Sequence, residues 1–152
     1  MITTFKTPTI LIVDDDEEDY FLIKKALSQV EIPHLISYAR NGEELMDYLS
    51  RQVSSSPTLS STGYPDLIFL DLNMPRKHGR EVLRDLKTDP ALRHIPVVIL
   101  TTSITPIDIY SSYELGANSF IVKPSLFATL VQLMKDIVQY WFTNVELPYG
   151  RR

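Results

Sequence analysis

Four short runs of aliphatic and β-branched residues in this chain each end abruptly at polar residues. The runs cover 9–13, 67–70, 97–100 and 119–122, and they are followed by Asp14-Asp15-Asp16, Asp71, Thr101-Thr102 and Lys123. Apolar runs of this length between turn and helix signals indicate strands buried on both faces, as in a parallel sheet covered by helices. Ligands bind beyond the carboxyl ends of such strands. The pattern therefore predicts that the polar residues gather in one site.

Apolar residues at helical spacing alternate with these strands. The spacing predicts a first helix that ends near Pro33, a second strand over 35–39, and a helix that opens at Asn41-Gly42. Further helices are predicted over 79–87, 106–115 and 125–142. Together, the predicted strands and helices form five βα units. The expected fold class is α/β, a doubly wound parallel five-stranded sheet in the order 2-1-3-4-5.

The length of 152 residues fits a single domain. Its core is expected over about residues 8–142. The composition between 51 and 65 is rich in Ser, Thr and Pro, which predicts a surface loop inserted into the domain. A short C-terminal tail is expected over 143–152.

Charge and composition exclude several classes of protein. The net charge of −4 and the pI near 5.3 argue against nucleic acid as a partner, because phosphate binding needs clustered Lys and Arg. There is no cysteine, which excludes disulfides and thiolate metal sites. No segment has the pattern of a signal peptide or a membrane span. The expectation is a soluble, cytoplasmic protein without a membrane partner.

Three carboxylates are expected to converge at the predicted site. Asp14 and Asp15 follow the first strand, and Asp71 ends the third strand, which lies beside the first in the predicted order. Because like charges at close range repel, Mg²⁺ is the expected occupant. Asp71 is expected to be the most enclosed of the three. It could act as a nucleophile toward phosphorus, with Lys123 and the Thr101 hydroxyl neutralising developing charge.

Five segments together resemble response-regulator receiver domains. In order they are Ile10-Leu11-Ile12-Val13-Asp14-Asp15-Asp16, Asp71-Leu72-Asn73-Met74-Pro75, Thr101-Thr102-Ser103, Gly116-Ala117 and Phe120-Ile121-Val122-Lys123-Pro124. The resemblance extends over about residues 8–142 and implies the flavodoxin-like receiver fold of a single-domain, chemotaxis-regulator-like protein. The inserted loop and the tail from Trp141 to Pro148 also resemble small regulators that serve bacteriophytochrome kinases.

The resemblance implies a role for each residue of the site. Asp71 would be the phosphoacceptor, and Mg²⁺ (or Mn²⁺) would be held by Asp14, acting mainly through metal-bound waters, by Asp15, by Asp71 and by the backbone carbonyl of Asn73. Residues that bind the phosphoryl group or switch in response to it would be Thr101, Thr102, Phe120 and Lys123. The peptide between Lys123 and Pro124 would be cis.

The implied function is that of a single-domain response regulator of a two-component phosphorelay. It would accept a phosphoryl group on Asp71 from a sensor histidine kinase, with a bacteriophytochrome as the narrower expectation, or exchange it with a His phosphotransfer protein. It would be a signalling protein rather than an enzyme, and would signal by protein contact. Two alternatives stay open. One is a phosphatase with an aspartyl nucleophile, although Asn73 replaces the second Asp that such enzymes typically need. The other is a degenerate receiver that acts as a constitutive binding module.

A contact surface is predicted on the fourth helix, fifth strand and fifth helix. Large side chains that the core does not explain favour a homodimer or partner surface there, and they are Ile109, Tyr110, Tyr113, Leu133 and Tyr140. A second role open to the acidic run 16–19 is electrostatic, near the metal, but the expectation is a solvated first helical turn that starts at Asp16. Asp16 is therefore left out of the metal site.

Overall fold

The structure is a computed structural model, and it describes residues 7–55, 63–75 and 77–148. The strands are β1 (Thr9–Val13), β2 (Leu35–Ala39), β3 (Leu67–Leu70), β4 (Val97–Thr101) and β5 (Ser119–Val122). The helices are α1 (Glu17–Leu27), α2 (Gly42–Ser55), α3 (Gly79–Thr88), α4 (Pro106–Glu114) and α5 (Phe127–Gln139), and a π-helical turn (Tyr140–Asn144) follows α5.

All five strands pair in parallel, in the order β2-β1-β3-β4-β5. This confirms the predicted fold class and strand order. The central strands β1, β3 and β4 are almost completely buried. Their carboxyl ends lie at one edge of the sheet, so Asp14, Asp71 and Thr101 are brought to the same edge.

Alternate residues of each central strand pack into two separate cores. On β1, Leu11 and Val13 face one side of the sheet, and Ile10 and Ile12 face the other, because successive side chains of a strand point in opposite directions. The first core includes buried residues of α2 and α3. The second includes buried residues of α1 and α5. Both faces of the sheet are therefore covered, which explains why the central strands are apolar between their ends.

The fifth strand departs from the expectation of burial on both faces. Residues of β5 are half-buried, and Val122 is exposed. The reason is that β5 is an edge strand, which pairs with β4 alone.

Some helix ends also differ from the predictions. Helix α1 ends at Leu27 rather than near Pro33, and α2 continues through Ser55 into the segment predicted as a loop. Arg51 and Gln52 are good helix formers, which favours the continuation of α2 beyond residue 50. The rest of that predicted loop up to residue 62, and the tail beyond 148, lie outside the described residues. None of the helices in the described ranges is long and apolar enough to cross a membrane.

Candidate functional site

Three predicted carboxylates come together at the carboxyl edge of the sheet. Oxygen atoms of Asp14, Asp15 and Asp71 all lie within 4.8 Å of one another, close enough to hold one metal ion. Backbone hydrogen bonds that continue the sheet fix two of these residues. The amide of Asp14 donates to the carbonyl of Ala39 over 3.1 Å, and the amide of Asp71 donates to the carbonyl of Val13 over 3.0 Å. Oxygen-only ligands of this kind suit Mg²⁺ or a similar hard cation.

The carboxylates differ in burial. Asp14 is 1% exposed and Asp71 is 6% exposed, whereas Asp15 is exposed, so the expectation that Asp71 is the most enclosed is wrong. Burial raises the pKa of Asp14 to about 6, although the hydrogen bond from Lys123 opposes the shift. Burial also raises the pKa of Asp15, and the neighbouring charge of Asp71 adds to this effect. A cation between the carboxylates would lower the pKa values of both Asp14 and Asp15.

Lys123 is the cation of this site. Its Nζ donates hydrogen bonds of 2.7 Å to Asp14 Oδ2 and 2.7 Å to Asp19 Oδ2, and it lies 3.7 Å from Asp71 Oδ2. Burial alone would lower the pKa of Lys123, but the hydrogen bonds and charges of these carboxylates outweigh burial and raise it. The ammonium therefore stays charged at neutral pH.

The acidic run after Asp15 has two distinct roles. Asp16 is the N-cap of α1, and its carboxylate accepts hydrogen bonds from the amides of Glu18 and Asp19. Its omission from the metal site agrees with this geometry. Asp19, however, was expected in a solvated helical turn, with an electrostatic role near the metal as the second interpretation, and its direct bond to Lys123 was missed. Its position in the first turn after the Asp pair was the available signal.

Tyr38 is a second residue that the sequence analysis missed. Its hydroxyl donates a hydrogen bond of 2.9 Å to the backbone carbonyl of Asp14. The ring stacks on Tyr20 of α1, with centroids 3.7 Å apart and an interplanar angle of 4°. Burial and the negative charge of Asp14 raise the pKa of Tyr38 to about 12. Because Tyr38 pairs with Ile12 in the sheet register, strand order and spacing together could have placed it near the site.

Gly79 allows the backbone of Asp71 to approach α3. A Cβ atom at position 79 would lie 2.4 Å from the carbonyl oxygen of Asp71 and 2.6 Å from the Cα of Leu72. The amide of Gly79 donates to the carbonyl of Leu72 over 3.0 Å. Only a residue without a side chain fits this contact, and nothing in the local sequence pattern indicated it.

The end of β4 leads into a hydrogen-bonded connection to α4. Thr101 is fully buried, and its Oγ1 accepts from the amide of Ser103 at 3.4 Å, whereas Thr102 is exposed. Ser103 Oγ in turn donates to Asp108 Oδ2 over 2.5 Å. This hydrogen bond lowers the pKa of Asp108, and Thr105 and the Arg80 guanidinium lower it further.

Two predicted features of β5 and its end have different outcomes. Phe120 is half-buried and packs against the first core, a position compatible with the aromatic switch that its resemblance implies. The predicted cis peptide between Lys123 and Pro124 is wrong, because the described residues contain no cis peptide bond. The trans isomer is the lower-energy form even before proline.

Asn73 lies at the exposed rim of the site, and its amide lies 3.4 Å from Asp71 Oδ1 in a long hydrogen bond. This contact fixes the loop after β3. The role of its carbonyl as a metal ligand stays a prediction.

The predicted contact surface is only partly apolar and exposed. Tyr110, Tyr113 and Tyr140 are 68%, 50% and 52% exposed. Ile109 and Leu133 are half-buried, and Leu133 packs against the second core. Among the five predicted residues, the three tyrosines are therefore the exposed ones.

Comparison with known proteins agrees with this fold. The response regulator receiver domain family matches residues 10–135. The response regulator Rcp1 of Synechocystis sp. is 38% identical over 141 residues, which cover 91% of this chain and 92% of that protein. A crystal structure of the phosphorylated cyanobacterial phytochrome response regulator RcpA is 40% identical with a TM-score of 0.83, over 94% of this chain and 99% of the other. The Mn²⁺-bound form of response regulator Rcp1 is 37% identical with a TM-score of 0.80, over 93% and 99%.

The chain belongs to the response regulator receiver domain family. It is a receiver-domain response regulator of two-component systems, and it is similar over nearly its whole length to phytochrome response regulators.

Proposed function

We propose that this protein is a phosphoacceptor that takes a phosphoryl group onto Asp71 in a Mg²⁺-dependent reaction. The observation that carries the proposal is the meeting of the Asp71 carboxylate with Asp14, Asp15 and the Lys123 ammonium in one pocket. A phosphatase with an aspartyl nucleophile typically needs a second Asp two residues later as general acid, and this chain has Asn73 there. A degenerate receiver would lack part of the pocket, whereas these four groups are all present.

The metal would be held by Asp14, Asp15, Asp71 and the carbonyl of Asn73. The carboxylate oxygens are close enough for one ion, and burial raises the pKa values of Asp14 and Asp15, a shift that a bound cation would oppose. The relative Rcp1 has a Mn²⁺-bound form, which supports a divalent metal in this chain. When bound, Mg²⁺ would neutralise charge on the transferring phosphoryl group.

The protein's own residues account for the transfer step. An oxygen of Asp71 forms a bond to phosphorus while the phosphorus–nitrogen bond of a phosphohistidine breaks. The departing imidazole keeps the electron pair and takes a proton from solvent. Lys123 stabilises the charge on the phosphoryl oxygens, and the hydroxyl of Thr101 turns from the Ser103 amide toward them. Thr102 and Phe120 would take part in the switch that follows.

The phosphodonor would be a sensor histidine kinase of the bacteriophytochrome type. The likeness to RcpA and Rcp1 over nearly the whole chain supports this partner. Rates of phosphotransfer from a purified phytochrome kinase should exceed those from unrelated sensor kinases, with a His phosphotransfer protein as an alternative donor. Equal rates from all the kinases would contradict the assignment.

The phosphoacceptor is tested with acetyl phosphate and Mg²⁺. Intact-protein mass spectrometry should show the addition of one phosphoryl group to the wild-type protein and none to Asp71→Asn. Asp16→Asn is the matched control, because it removes a carboxylate at the same edge without removing a member of the pocket. Labelling of the Asp71→Asn protein would refute Asp71 as the acceptor.

The metal role is tested by calorimetric titration with Mg²⁺. Asp15→Asn should lower the Mg²⁺ affinity by roughly tenfold or more. Loss of a residue that only hydrogen-bonds to a metal ligand already lowers metal affinity by about tenfold. Chelation with EDTA should prevent phosphorylation of the wild-type protein. An unchanged Mg²⁺ affinity in Asp15→Asn would count against this residue as a ligand.

A further inference from the structure

We propose that Asp19 competes with the phosphoryl anion on Asp71 for the Lys123 ammonium, and so acts as a positioning residue that weakens the hold of the site on that anion. The inference rests on the proposed function, because it concerns the same lysine. It assigns a role to a carboxylate outside the group that brackets the metal position.

The contacts of Lys123 are divided unequally among three carboxylates. Its Nζ lies 2.7 Å from an oxygen of Asp14 and 2.7 Å from an oxygen of Asp19, but 3.7 Å from the nearest oxygen of Asp71. The last distance is too long for a hydrogen bond. Two of the three N–H donors of the ammonium are therefore used by residues other than the phosphoacceptor.

Asp14 and Asp19 hold the ammonium in different ways. Asp14 is also a member of the carboxylate group around the metal position, and its side chain is 2% exposed. Asp19 is outside that group, and its side chain is 31% exposed against 10% for Lys123. Asp19 thus binds the lysine from the rim of the pocket.

The backbone of Asp19 is held in place independently of the lysine. Its amide donates to the carboxylate of Asp16 over 3.3 Å, as part of the N-cap of α1. The first helical turn therefore presents the Asp19 carboxylate to Lys123 from a defined position.

The expected consequence is a tighter grip on the anion when Asp19 loses its charge. An amide is a weaker acceptor for an ammonium than a carboxylate is, so Asp19→Asn leaves Lys123 freer to pair with the group on Asp71. We expect the affinity for beryllofluoride, an anion that mimics a phosphoryl group on a carboxylate, to rise about two- to fivefold. A change of this size corresponds to the free energy that a partly exposed ion pair typically contributes.

The test is a calorimetric titration of the full chain with beryllofluoride at saturating Mg²⁺. Asp16→Asn is the matched control, because it removes the same charge from the same helical turn, keeps a good N-cap and leaves Lys123 with its contacts. Asp19→Asn should bind more tightly than the wild type, Asp16→Asn should match the wild type, and Asp19→Glu should restore the wild-type affinity. Asp19→Ala is a second variant with the same expected rise.

A merely structural role for Asp19 predicts the opposite direction, because a distorted pocket binds the anion less well. Unchanged or weaker binding by folded Asp19→Asn and Asp19→Ala would overturn the inference. An equal rise in Asp16→Asn would also overturn it, since net charge would then explain the effect. If the wild-type protein itself does not bind beryllofluoride, the proposed function fails as well, and this outcome is distinct from the other two.

Discussion

The hydroxyl of Tyr38 donates a hydrogen bond of 2.9 Å to the backbone carbonyl of Asp14. This bond joins β2 to the residue that follows β1, and it supplements the backbone bond between Asp14 and Ala39. The bond holds the peptide between Asp14 and Asp15, two of the three residues whose carboxylates converge at the site. The stack of Tyr38 on Tyr20 further links this corner of the sheet to α1.

Removal of that hydroxyl should loosen the acidic corner. Tyr38→Phe keeps the aromatic stack but leaves the Asp14 carbonyl without this donor, so we expect a loss of about 1 kcal/mol in the free energy of unfolding and a weaker affinity for Mg²⁺. Urea unfolding and calorimetry measure the two effects. Tyr48→Phe is the control, because the Tyr48 hydroxyl makes only a long contact of 3.4 Å with Ser37. Equal losses in the two variants would contradict a specific role for Tyr38.

Gly79→Ala should disturb the backbone of Asp71, the proposed phosphoacceptor. The new methyl group would meet the carbonyl oxygen of Asp71 at 2.4 Å, and overpacking of this kind costs about 1–3 kcal/mol of stability. We also expect slower phosphorylation by acetyl phosphate in the folded variant.

Gly42→Ala provides a comparison for that substitution. The three nearest atoms to its added methyl belong to the side chains of Val82 and Lys77, which can shift more readily than backbone. Chemical denaturation should therefore show a smaller loss than for Gly79→Ala. A normal phosphorylation rate and full stability in Gly79→Ala would argue against the close approach.

Asp108 should make stability depend on pH in acid. The hydrogen bond from Ser103 lowers its pKa below the ordinary value of 3.8, so the folded state favours the ionised carboxylate. The resulting stabilisation is complete above the unfolded pKa and is lost as the pH falls through the folded pKa. The difference in the free energy of unfolding between the wild type and Asp108→Asn should therefore shrink as the pH is lowered below about 4.

Ser103→Ala provides the control for this pH dependence. It removes the principal cause of the pKa shift while it leaves the carboxylate in place, so its acid profile should lie between those of the wild type and Asp108→Asn. Urea unfolding at a series of pH values measures all three. A difference between the wild type and Asp108→Asn that does not change with pH would contradict the shift.

Self-association should depend on the exposed tyrosines of α4. Tyr110 is 68% exposed, so Tyr110→Ala should weaken a homodimer formed by the α4, β5 and α5 face with little effect on folding. Sedimentation velocity with and without beryllofluoride measures the association. Tyr140→Ala tests the part of the same face that the π-helical turn after α5 contributes. A monomer under both conditions would refute the homodimer prediction.

The sequence alone was sufficient to predict the alternation of strands and helices, the strand order and the three carboxylates that converge. These features depend on local hydrophobic patterns and on the rule that parallel strands end at the same edge of a sheet. The same patterns located Lys123, because a polar residue that ends a buried strand stands out. The family resemblance then supplied the roles.

Only the tertiary structure decided which carboxylates pair with Lys123 and which neighbouring residues hold the site in place. Asp19 and Tyr38 come from α1 and β2, and their contacts with Lys123 and Asp14 depend on side-chain direction across elements, which periodicity does not encode. Gly79 is explained only by the approach of the Asp71 backbone from a separate element. Local patterns determine which elements form, whereas distances between elements emerge only when the two cores pack together.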